Sequence, residues 1–307
     1  MNKQIKSRIA DRLPPCNNPL MIIRTRFAPS PTGLLHLGHA LAARVAHTMA
    51  RQTPDGQFLL RYEDIDESRV REIFYQKIAD DLAWLGLNWD GEPLRQTTRA
   101  VAYADALASL RHRGLVYPCF CNRKKIQEEW ANMAAAPQGP AGSIYPGTCR
   151  ILPHQIQQAN IKSGRPHSWR LDSVQAAASV GPLTFHDLRY GNIMVTPDLL
   201  GDVVLARKDI GCAYHLAVVV DDAFQQITHI TRGVDLLPAT HVHRLLQALL
   251  GLPEPIYHHH PLVLDDHGKR LAKRHDALAI TALRAAGSTP TEVLESTIKW
   301  DHEDCVV

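Results

Sequence analysis

The sequence of 307 residues predicts an α/β fold, in which a parallel sheet is flanked by helices and interrupted by an inserted subdomain. Apolar, β-branched runs alternate with helical patterns before residue 117, and this order is typical of parallel strands joined by helices. Prolines, glycines and cysteines become frequent after residue 117, which indicates the insert. The apolar pattern returns near residue 216, where the sheet is expected to resume.

The first half of the predicted sheet begins with Ile22–Phe27, a short apolar run that Pro29 ends. From His39 onward, apolar residues recur on one face and predict a helix, and Phe58–Tyr62 predicts a second strand. Apolar residues at spacings of three and four then indicate two further helices, each stopped by a glycine: Phe74–Leu85 before Gly86, and Tyr103–Leu110 before Gly114.

The later elements are predicted from shorter signals. Ser168–Leu171 is typical of a short strand within the insert. The fully apolar run Leu216–Val220 predicts a strand of the resumed sheet, and apolar residues between Val242 and Leu249 predict a helix that ends at Gly251. We expect His258–His260, which follow two prolines, to lie in a loop and to bind no metal.

The composition excludes several classes of protein. Lys and Arg number 34 against 31 Asp and Glu, and this net charge of +3 neither demands nor forbids a polyanionic partner. No apolar run approaches the ~18 residues that a membrane span needs, and the start of the chain lacks the apolar core of a signal peptide. Six cysteines are too few for a disulfide scaffold in a chain of this length, so we expect a reduced, cytoplasmic compartment.

The strongest motif is the turn that follows the first predicted strand. Arg26–Gly33 contains three of the residues that break strands, and His36-Leu37-Gly38-His39 opens the next helix. The start of a helix attracts phosphate, because its backbone N–H groups and its dipole face the anion. Two imidazoles three residues apart lie on the same helix face and can donate to a phosphoryl group. Gly38 between them allows a planar base to approach the backbone.

A second constellation consists of Cys119, Cys121 and Cys149. Three thiolates from two segments suit a soft or borderline metal ion, for which zinc is the default. Such an ion would pin the insert and take no part in the chemistry. The alternative is a group of buried free cysteines that act as small apolar residues. The spacing leaves the fourth ligand open.

The stretch Arg26–His39 closely resembles the HIGH signature of class I aminoacyl-tRNA synthetases, in its glutamyl and glutaminyl form. Further stretches resemble the same family in the same order: Leu60–Asp66, Leu87–Gly91, Cys212–Asp222, Thr228–Leu236, and Lys269–Arg274 in the place of the mobile KMSKS loop. The resemblance covers about residues 22–275. It implies an ATP-dependent ligase with a Rossmann-like catalytic domain and an inserted zinc-bearing subdomain.

This resemblance divides the chain into segments. They are a loose extension at 1–21, the first half of the catalytic domain at 22–116, an acceptor-type zinc-bearing insert at 117–200, the second half with the KMSKS-like loop at 201–275, and a short segment at 276–307. Family members that read an anticodon carry extra domains after the KMSKS loop. We expect residues 276–307 to be too few for such a domain.

The resemblance also implies roles for individual residues. The glutamate site would comprise Arg26, Phe27, Ala28, Pro29, Ser30, Glu63, Tyr214 and Arg232. ATP would contact His36, Gly38, His39 and Lys273, of which His36, His39 and Lys273 would be catalytic. Tyr145 would be the fourth metal ligand, ahead of His112, His154 or water. Guanidinium groups suit this substrate, because glutamate has two carboxylates and each pairs bidentately with an arginine.

By its length the chain resembles the short, glutamyl-queuosine branch of the family, which attaches L-glutamate to the queuosine base in the anticodon of tRNA(Asp). ATP with Mg²⁺ would be the second substrate. Two other interpretations stay open: a divergent glutamyl-tRNA synthetase that charges tRNA(Glu), and an inactive tRNA-binding paralogue. Ala272 departs from the family pattern, since the KMSKS loop usually has a serine there, while Lys273 keeps the cation. Basic residues near the insert are candidate phosphate contacts: Arg111, Arg113, Arg123, Lys124, Lys125, Arg150 and Arg165.

Overall fold

The computed structural model describes residues 22–131, 138–139, 142–209, 211–263 and 279–298. The extension at 1–21 and the KMSKS-like stretch with Lys273 lie outside these ranges. Within them the chain folds into a three-stranded parallel sheet, a four-stranded sheet that is parallel except at one edge, a three-stranded antiparallel sheet, a two-stranded antiparallel pair and the surrounding helices.

The strands are β1 (Arg24–Phe27), β2 (Gln57–Tyr62), β3 (Leu94–Arg95), β4 (Val116–Cys119), β5 (Gln138–Gly139), β6 (Gly142–Ser143), β7 (Ser168–Leu171), β8 (Thr184–Asp187), β9 (Gly191–Met194), β10 (Val204–Ala206), β11 (His229–Gly233) and β12 (Ile256–His260). The α-helices are α1 (Leu37–Ala50), α2 (Glu72–Trp84), α3 (Ala100–His112), α4 (Arg123–Ala131), α5 (His154–Lys162), α6 (Ser173–Val180), α7 (Tyr214–Phe224), α8 (Leu237–Leu250), α9 (Ile280–Ala285) and α10 (Pro290–Ser296).

The three-stranded parallel sheet and the four-stranded sheet meet side by side. Strands β1, β2 and β3 pair in parallel, and β11, β12 and β8 also pair in parallel, with β9 antiparallel at the far edge. The backbone N–H of Thr228, just before β11, donates to the carbonyl of Arg24 in β1 at 3.0 Å. The turns that follow β1 and β11 are therefore close together, although their sequences lie far apart. This arrangement confirms the predicted α/β class and the parallel sheet.

The antiparallel sheet holds the cysteine-bearing part of the insert against the rest of the fold. Strand β7 pairs with both β4 and β10, so that the strands at which the insert leaves and rejoins the chain lie on either side of the same central strand. The hairpin β8–β9 lies inside the range predicted for the insert, yet β8 pairs with β12 of the second parallel sheet. Residues 117–200 thus contribute to the antiparallel sheet and to the second parallel sheet, and they form the separate pair β5–β6.

Two element predictions are wrong. Leu216–Val220 lies in helix α7, and not in a strand, because this helix is packed on several sides and its apolar run has no exposed face to mark a helical period. His258–His260 are not in a loop but in strand β12, where all three side chains are buried. The other predicted strands and helices are confirmed, with ends that differ by a few residues. No helix in the part of the chain listed above has the length and apolar character required to cross a bilayer.

Candidate functional site

The turn after β1 brings the two motif histidines into contact. The Nδ1 atom of His36 accepts from the backbone N–H of Gly38 at 3.1 Å, and Nδ1 of His39 accepts from the N–H of His36 at 3.1 Å. These bonds cap helix α1, and they place the ring centroids 3.9 Å apart. Because a nitrogen that accepts carries no proton, each neutral ring is protonated on Nε2 and has a donor there.

The same turn explains the glycine of the motif. A Cβ atom at Gly38 would lie 3.0 Å from Cε1 of His36, so a side chain there would press on the imidazole. The ring of Phe27 meets His39 edge-on, at 6.4 Å between centroids. The turn also supports Glu63, whose backbone N–H donates to the carbonyl of Pro29 at 3.1 Å.

Arg26 lies in a buried ion-pair cluster at the ends of β1 and β2. Its Nε atom donates to Asp222 of α7 at 2.8 Å, and Arg61 donates to the same carboxylate oxygen at 2.8 Å. The Arg26 side chain is 5% exposed and that of Arg61 is fully buried. The pKa of Asp222 is held below its usual range, because these two guanidinium groups outweigh the cost of burial.

Glu63 stands beside this cluster without a short contact to it. Its carboxylate is 3.8 Å from Nη2 of Arg61, too far for a hydrogen bond, and its side chain is 17% exposed. Burial raises the pKa of Glu63 to about 7, although Arg61 and Arg26 act in the opposite direction. A carboxylate in this state gains from a cationic ligand such as an ammonium group.

Arg232 of β11 is surrounded by uncharged acceptors. Its Nε donates to Nε2 of His259 at 3.2 Å and its Nη1 to Nδ1 of His243 at 3.0 Å. Its Nη2 donates to the hydroxyl of Thr240 at 2.6 Å. The side chain is only 5% exposed, and no ion pair joins it to a carboxylate within the described residues. This guanidinium is therefore prepared for an anionic ligand.

Tyr214 lies close enough to both arginines for their charges to act on its phenol. It is the first residue of α7, and burial raises the pKa of its phenol. The charges that act on this phenol come from both groups: Arg232, Glu63, Arg26 and Asp222. Tyr214 also lines a cavity of about 900 Å³ together with Ser30, Glu63 and His215. Of the predicted glutamate residues, Ser30, Glu63 and Tyr214 line this cavity, and Arg26 and Arg232 lie close enough for their charges to act on the Tyr214 phenol.

The cysteine cluster borders that cavity through Cys121. The sulfurs of Cys119, Cys121 and Cys149 lie within 4.8 Å of one another. The hydroxyl of Tyr145 is 3.4 Å from Sγ of Cys119 and 3.5 Å from Sγ of Cys121. In a tetrahedral zinc site with Zn–S bonds of ~2.3 Å, neighbouring ligand atoms are ~3.5–3.8 Å apart. These four residues fit a single tetrahedral metal ion.

Surrounding groups favour Tyr145 as a metal-binding oxygen. Its hydroxyl oxygen accepts from the backbone N–H of Cys149 at 3.0 Å, and the guanidinium of Arg170 lies 3.9 Å from the centre of its ring. Both contacts stabilise negative charge on the phenol oxygen. His112 and His154, the other candidates for the fourth ligand, line a separate groove between α3 and α5.

Sequence reasoning missed the partners that hold the two arginines. Asp222 and Arg61 stand in stretches that resemble the family. The bonds that Asp222 accepts from Arg26 and Arg61 join residues 196 and 161 positions apart in the sequence. His243 and His259 were missed for different reasons. His243 is one residue of an ordinary amphipathic helix, and His259 stands in the histidine run predicted as a loop. Ile256 and Tyr257, a β-branched and an aromatic residue directly before the histidines, are the sequence signal that could have extended a strand through His259.

Comparison with known proteins gives the same family. The family model "tRNA synthetases class I (E and Q), catalytic domain" matches residues 22–300. The glutamyl-Q tRNA(Asp) synthetase of Rhodobacter capsulatus is 48% identical over 282 residues, which are 88% of this chain and 97% of that protein. The protein of the same name from Symbiobacterium thermophilum is 42% identical over 279 residues, with 88% and 83% covered.

A crystal structure of the glutamate-tRNA synthetase from Elizabethkingia anophelis superimposes with a TM-score of 0.69 at 28% identity. The match covers 83% of this chain and 53% of that synthetase, so the chain spans about half of its length. The motif order, the cavity and these likenesses agree. The chain belongs to the class I tRNA synthetases of the glutamyl and glutaminyl type, and within them to the group of the glutamyl-Q tRNA(Asp) synthetases.

Proposed function

We propose that this chain activates L-glutamate with ATP and transfers the glutamyl group to the queuosine base of tRNA(Asp). One observation supports this substrate above all. Glu63 and Tyr214 line one cavity, and the charges of Glu63 and of the buried Arg232 guanidinium both act on the Tyr214 phenol, so that a carboxylate with a raised pKa and a guanidinium with uncharged partners lie on either side of this residue. An amino acid with an ammonium group and a side-chain carboxylate satisfies both.

In the activation step, an oxygen of the α-carboxylate of glutamate attacks the α-phosphorus of ATP. The bond from that phosphorus to the bridging oxygen breaks, and pyrophosphate leaves with its electron pair. His36 and His39 would donate from Nε2 to the phosphate oxygens, because their Nδ1 atoms accept from the backbone. Magnesium bound with ATP would neutralise phosphate charge. Lys273 would supply a further cation.

In the transfer step, a hydroxyl oxygen of queuosine attacks the carbonyl carbon of glutamyl-adenylate. The bond to the phosphate oxygen breaks, AMP leaves, and the hydroxyl proton passes to the departing phosphate. The protein's part is positioning, since the adenylate already carries a good leaving group. Cys121 and Asn122 line the same cavity as Glu63, which supports the insert as the side from which the base enters.

The insert would dock the RNA. Exposed arginines lie beside aromatic rings at its surface: the guanidinium of Arg111 is 4.1 Å from the ring centre of Trp169, and that of Arg165 is 5.2 Å from Phe120. Such pairs suit phosphates and unstacked bases of a single-stranded loop. Binding should therefore be strongly dependent on salt.

We also propose that Cys119, Cys121, Cys149 and Tyr145 hold one structural Zn²⁺. Purified protein should contain about one zinc per chain, and Cys149→Ser should lower both the zinc content and the stability of the insert. Tyr145→Phe is the sharper variant, because it removes only the oxygen. Zinc bound as tightly to Tyr145→Phe as to the unmodified chain would show that another group is the fourth ligand.

The central test measures both steps. Glutamate-dependent exchange of pyrophosphate into ATP should occur without RNA, and His39→Ala should slow it by about tenfold or more, or ~1.4 kcal/mol of transition-state stabilisation. A synthetic anticodon stem-loop of tRNA(Asp) with queuosine should accept radiolabelled glutamate, whereas the same stem-loop with guanosine should not.

Full-length tRNA(Glu) serves as the acceptor that separates the interpretations. Labelling of tRNA(Glu) at its 3′ end, with no label on the queuosine stem-loop, would replace the proposal by a divergent glutamyl-tRNA synthetase. Binding of the stem-loop without any glutamate-dependent exchange would instead indicate an inactive tRNA-binding paralogue.

A further inference from the structure

Arg232 is one member of a continuous row of hydrogen bonds from a buried carboxylate to the wall of the cavity. In order, the row is Asp187, His259, Arg232, His243 and His215. We propose that this histidine row positions Arg232 for the side-chain carboxylate of glutamate and makes His215 a further donor to the bound substrate. The proposal rests on glutamate as the substrate, as proposed above.

The direction of every bond in the row follows from Arg232. A guanidinium only donates, so Nε2 of His259 and Nδ1 of His243 must both accept. His259 therefore carries its proton on Nδ1 and donates to Asp187 at 2.6 Å. His243 carries its proton on Nε2 and donates to Nδ1 of His215 at 3.1 Å. This leaves the proton of His215 on Nε2, where it is available as a donor.

The row also fixes how Arg232 is presented. A guanidinium has five N–H donors, and three of them are used by His259, His243 and Thr240. Of the two that remain, one is on each terminal nitrogen. A pair of parallel N–H groups at the end of the fork matches the two oxygens of one carboxylate. The three acceptors thus fix the orientation of the guanidinium and leave one N–H group on each terminal nitrogen for a carboxylate.

The row keeps the negative charge of Asp187 away from Arg232. Asp187 is fully buried, and the ring of His259 separates it from the guanidinium. Burial lowers the pKa of His259 to about 4 despite the bond to Asp187, and burial with Arg232 lowers that of His215 to about 4. Burial also lowers the pKa of His243 well below its usual value. All three rings are neutral at pH 7, and Arg232 offers its full charge to a ligand.

His215 is placed where a substrate would meet it. It is half-buried, it lines the cavity of about 900 Å³ with Glu63, and its ring centroid is 5.4 Å from that of the neighbouring Tyr214. A neutral N–H donor next to Arg232 adds a hydrogen bond to a carboxylate without repelling the ammonium group of the same substrate.

The test uses pyrophosphate exchange, with KM and kcat measured separately for glutamate and for ATP. His243→Leu removes the acceptor behind Arg232 and should raise KM for glutamate by about tenfold or more, with kcat changed less than about threefold and KM for ATP unchanged. His243→Asn returns an acceptor near the position of Nδ1 and should recover most of this loss. His215→Phe should also raise KM for glutamate, and His215→Gln, which keeps a donor, should raise it less.

His241→Leu is the matched control. His241 is buried in the same helix α8, and its Nδ1 also accepts a hydrogen bond, but from the backbone N–H of Thr196 and not from Arg232. We expect this variant to lose stability and to keep the KM for glutamate. Thermal unfolding of every variant would accompany the kinetics, and His215→Phe, at the half-buried end of the row, is the variant least dependent on correct core packing.

Two outcomes would overturn the proposal. One is a normal KM for glutamate in folded His243→Leu or His215→Phe, and the other is an equal rise of KM in His241→Leu. Neither outcome would touch the proposed function, since the unmodified chain would still exchange pyrophosphate with glutamate. Absence of exchange by the unmodified chain would instead contradict the proposed function itself.

Discussion

The two arginines of the proposed glutamate pocket differ in the groups that hold them. Arg26 is in direct contact with a carboxylate, Asp222, which it shares with Arg61. Arg232 is equally buried, but its partners are two imidazoles and a hydroxyl. The difference shows that two residues with the same side chain and the same exposure can have opposite roles in one pocket.

Charge balance explains these roles. On the Arg26 side, two guanidinium groups and Asp222 leave one positive charge, which Glu63 balances when it is ionised. On the Arg232 side, the negative charge belongs to Asp187, and the ring of His259 separates it from the guanidinium. We therefore expect Arg26 to act mainly in the scaffold and Arg232 to be the arginine that meets the ligand. A neutral glutamine side chain in place of glutamate would leave the Arg232 charge unpaired, which costs a few kcal/mol.

The largest effect is expected when the carboxylate on the Arg26 side is removed. Asp222→Asn leaves two buried guanidinium groups without their shared carboxylate and should lower the free energy of unfolding by about 3–5 kcal/mol. Urea denaturation measures the loss. Glu254→Gln is the control, because the Glu254 carboxylate is 44% exposed in its pair with Arg244 and should contribute less than about 1 kcal/mol. A similar loss in both variants would contradict the scaffold role of Asp222.

The second effect concerns Arg232 and should appear in activity. Arg232→Ala should reduce glutamate-dependent pyrophosphate exchange by about 100-fold, equivalent to ~2.7 kcal/mol, and should narrow the preference for glutamate over glutamine. Arg232→Lys should recover part of the rate, since an ammonium keeps the charge and loses the fork. Arg244→Ala is the control, because Arg244 lies in helix α8 and pairs with Glu254. This variant should exchange pyrophosphate at the normal rate. Unchanged discrimination against glutamine in Arg232→Ala would remove the basis of the comparison.

The smallest expected effect is a dependence of the KM for glutamate on pH. The pKa of Glu63 is about 7, and only the ionised form pairs with the ammonium group of glutamate. As pH falls below about 7, Glu63 binds a proton that the substrate must displace, so KM for glutamate should rise by about tenfold per pH unit. Above pH 7 it should level off. Free glutamate does not titrate in this interval, and Glu63→Gln should give a higher KM that no longer varies between pH 6 and 8.

Much of the fold could be predicted from local patterns. Strands β1 and β2 and helices α1 to α3 were found because each has one apolar face or a short apolar run bounded by glycine or proline. The apolar run in α7 predicts a strand instead of the helix, since a helix that is buried on several sides has no polar face to show its period. The difference between that strand and helix is decided by tertiary packing.

The site was predictable in part for a related reason. Motif resemblance pointed to Glu63, Tyr214 and Arg232, and the structure places Glu63 and Tyr214 at one cavity, with Arg232 near enough to act on the Tyr214 phenol. The role of each arginine was not predictable, because it depends on which groups meet it from distant segments. Asp222 is 196 residues from Arg26, and His259 is 27 residues from Arg232 on the neighbouring strand. No local pattern encodes such partners.

The carboxylate that joins Arg26 and Arg61 also orders events during synthesis. Both arginines leave the ribosome long before residue 222, and a nascent chain without Asp222 would have to bury two cations against each other. The ends of β1 and β2 can therefore settle only after α7 has emerged. We therefore expect the pocket to be completed late in synthesis. Hydrogen exchange on stalled nascent chains would show this as protection of β1 that begins once α7 is outside the tunnel, and protection of β1 in shorter chains would contradict it.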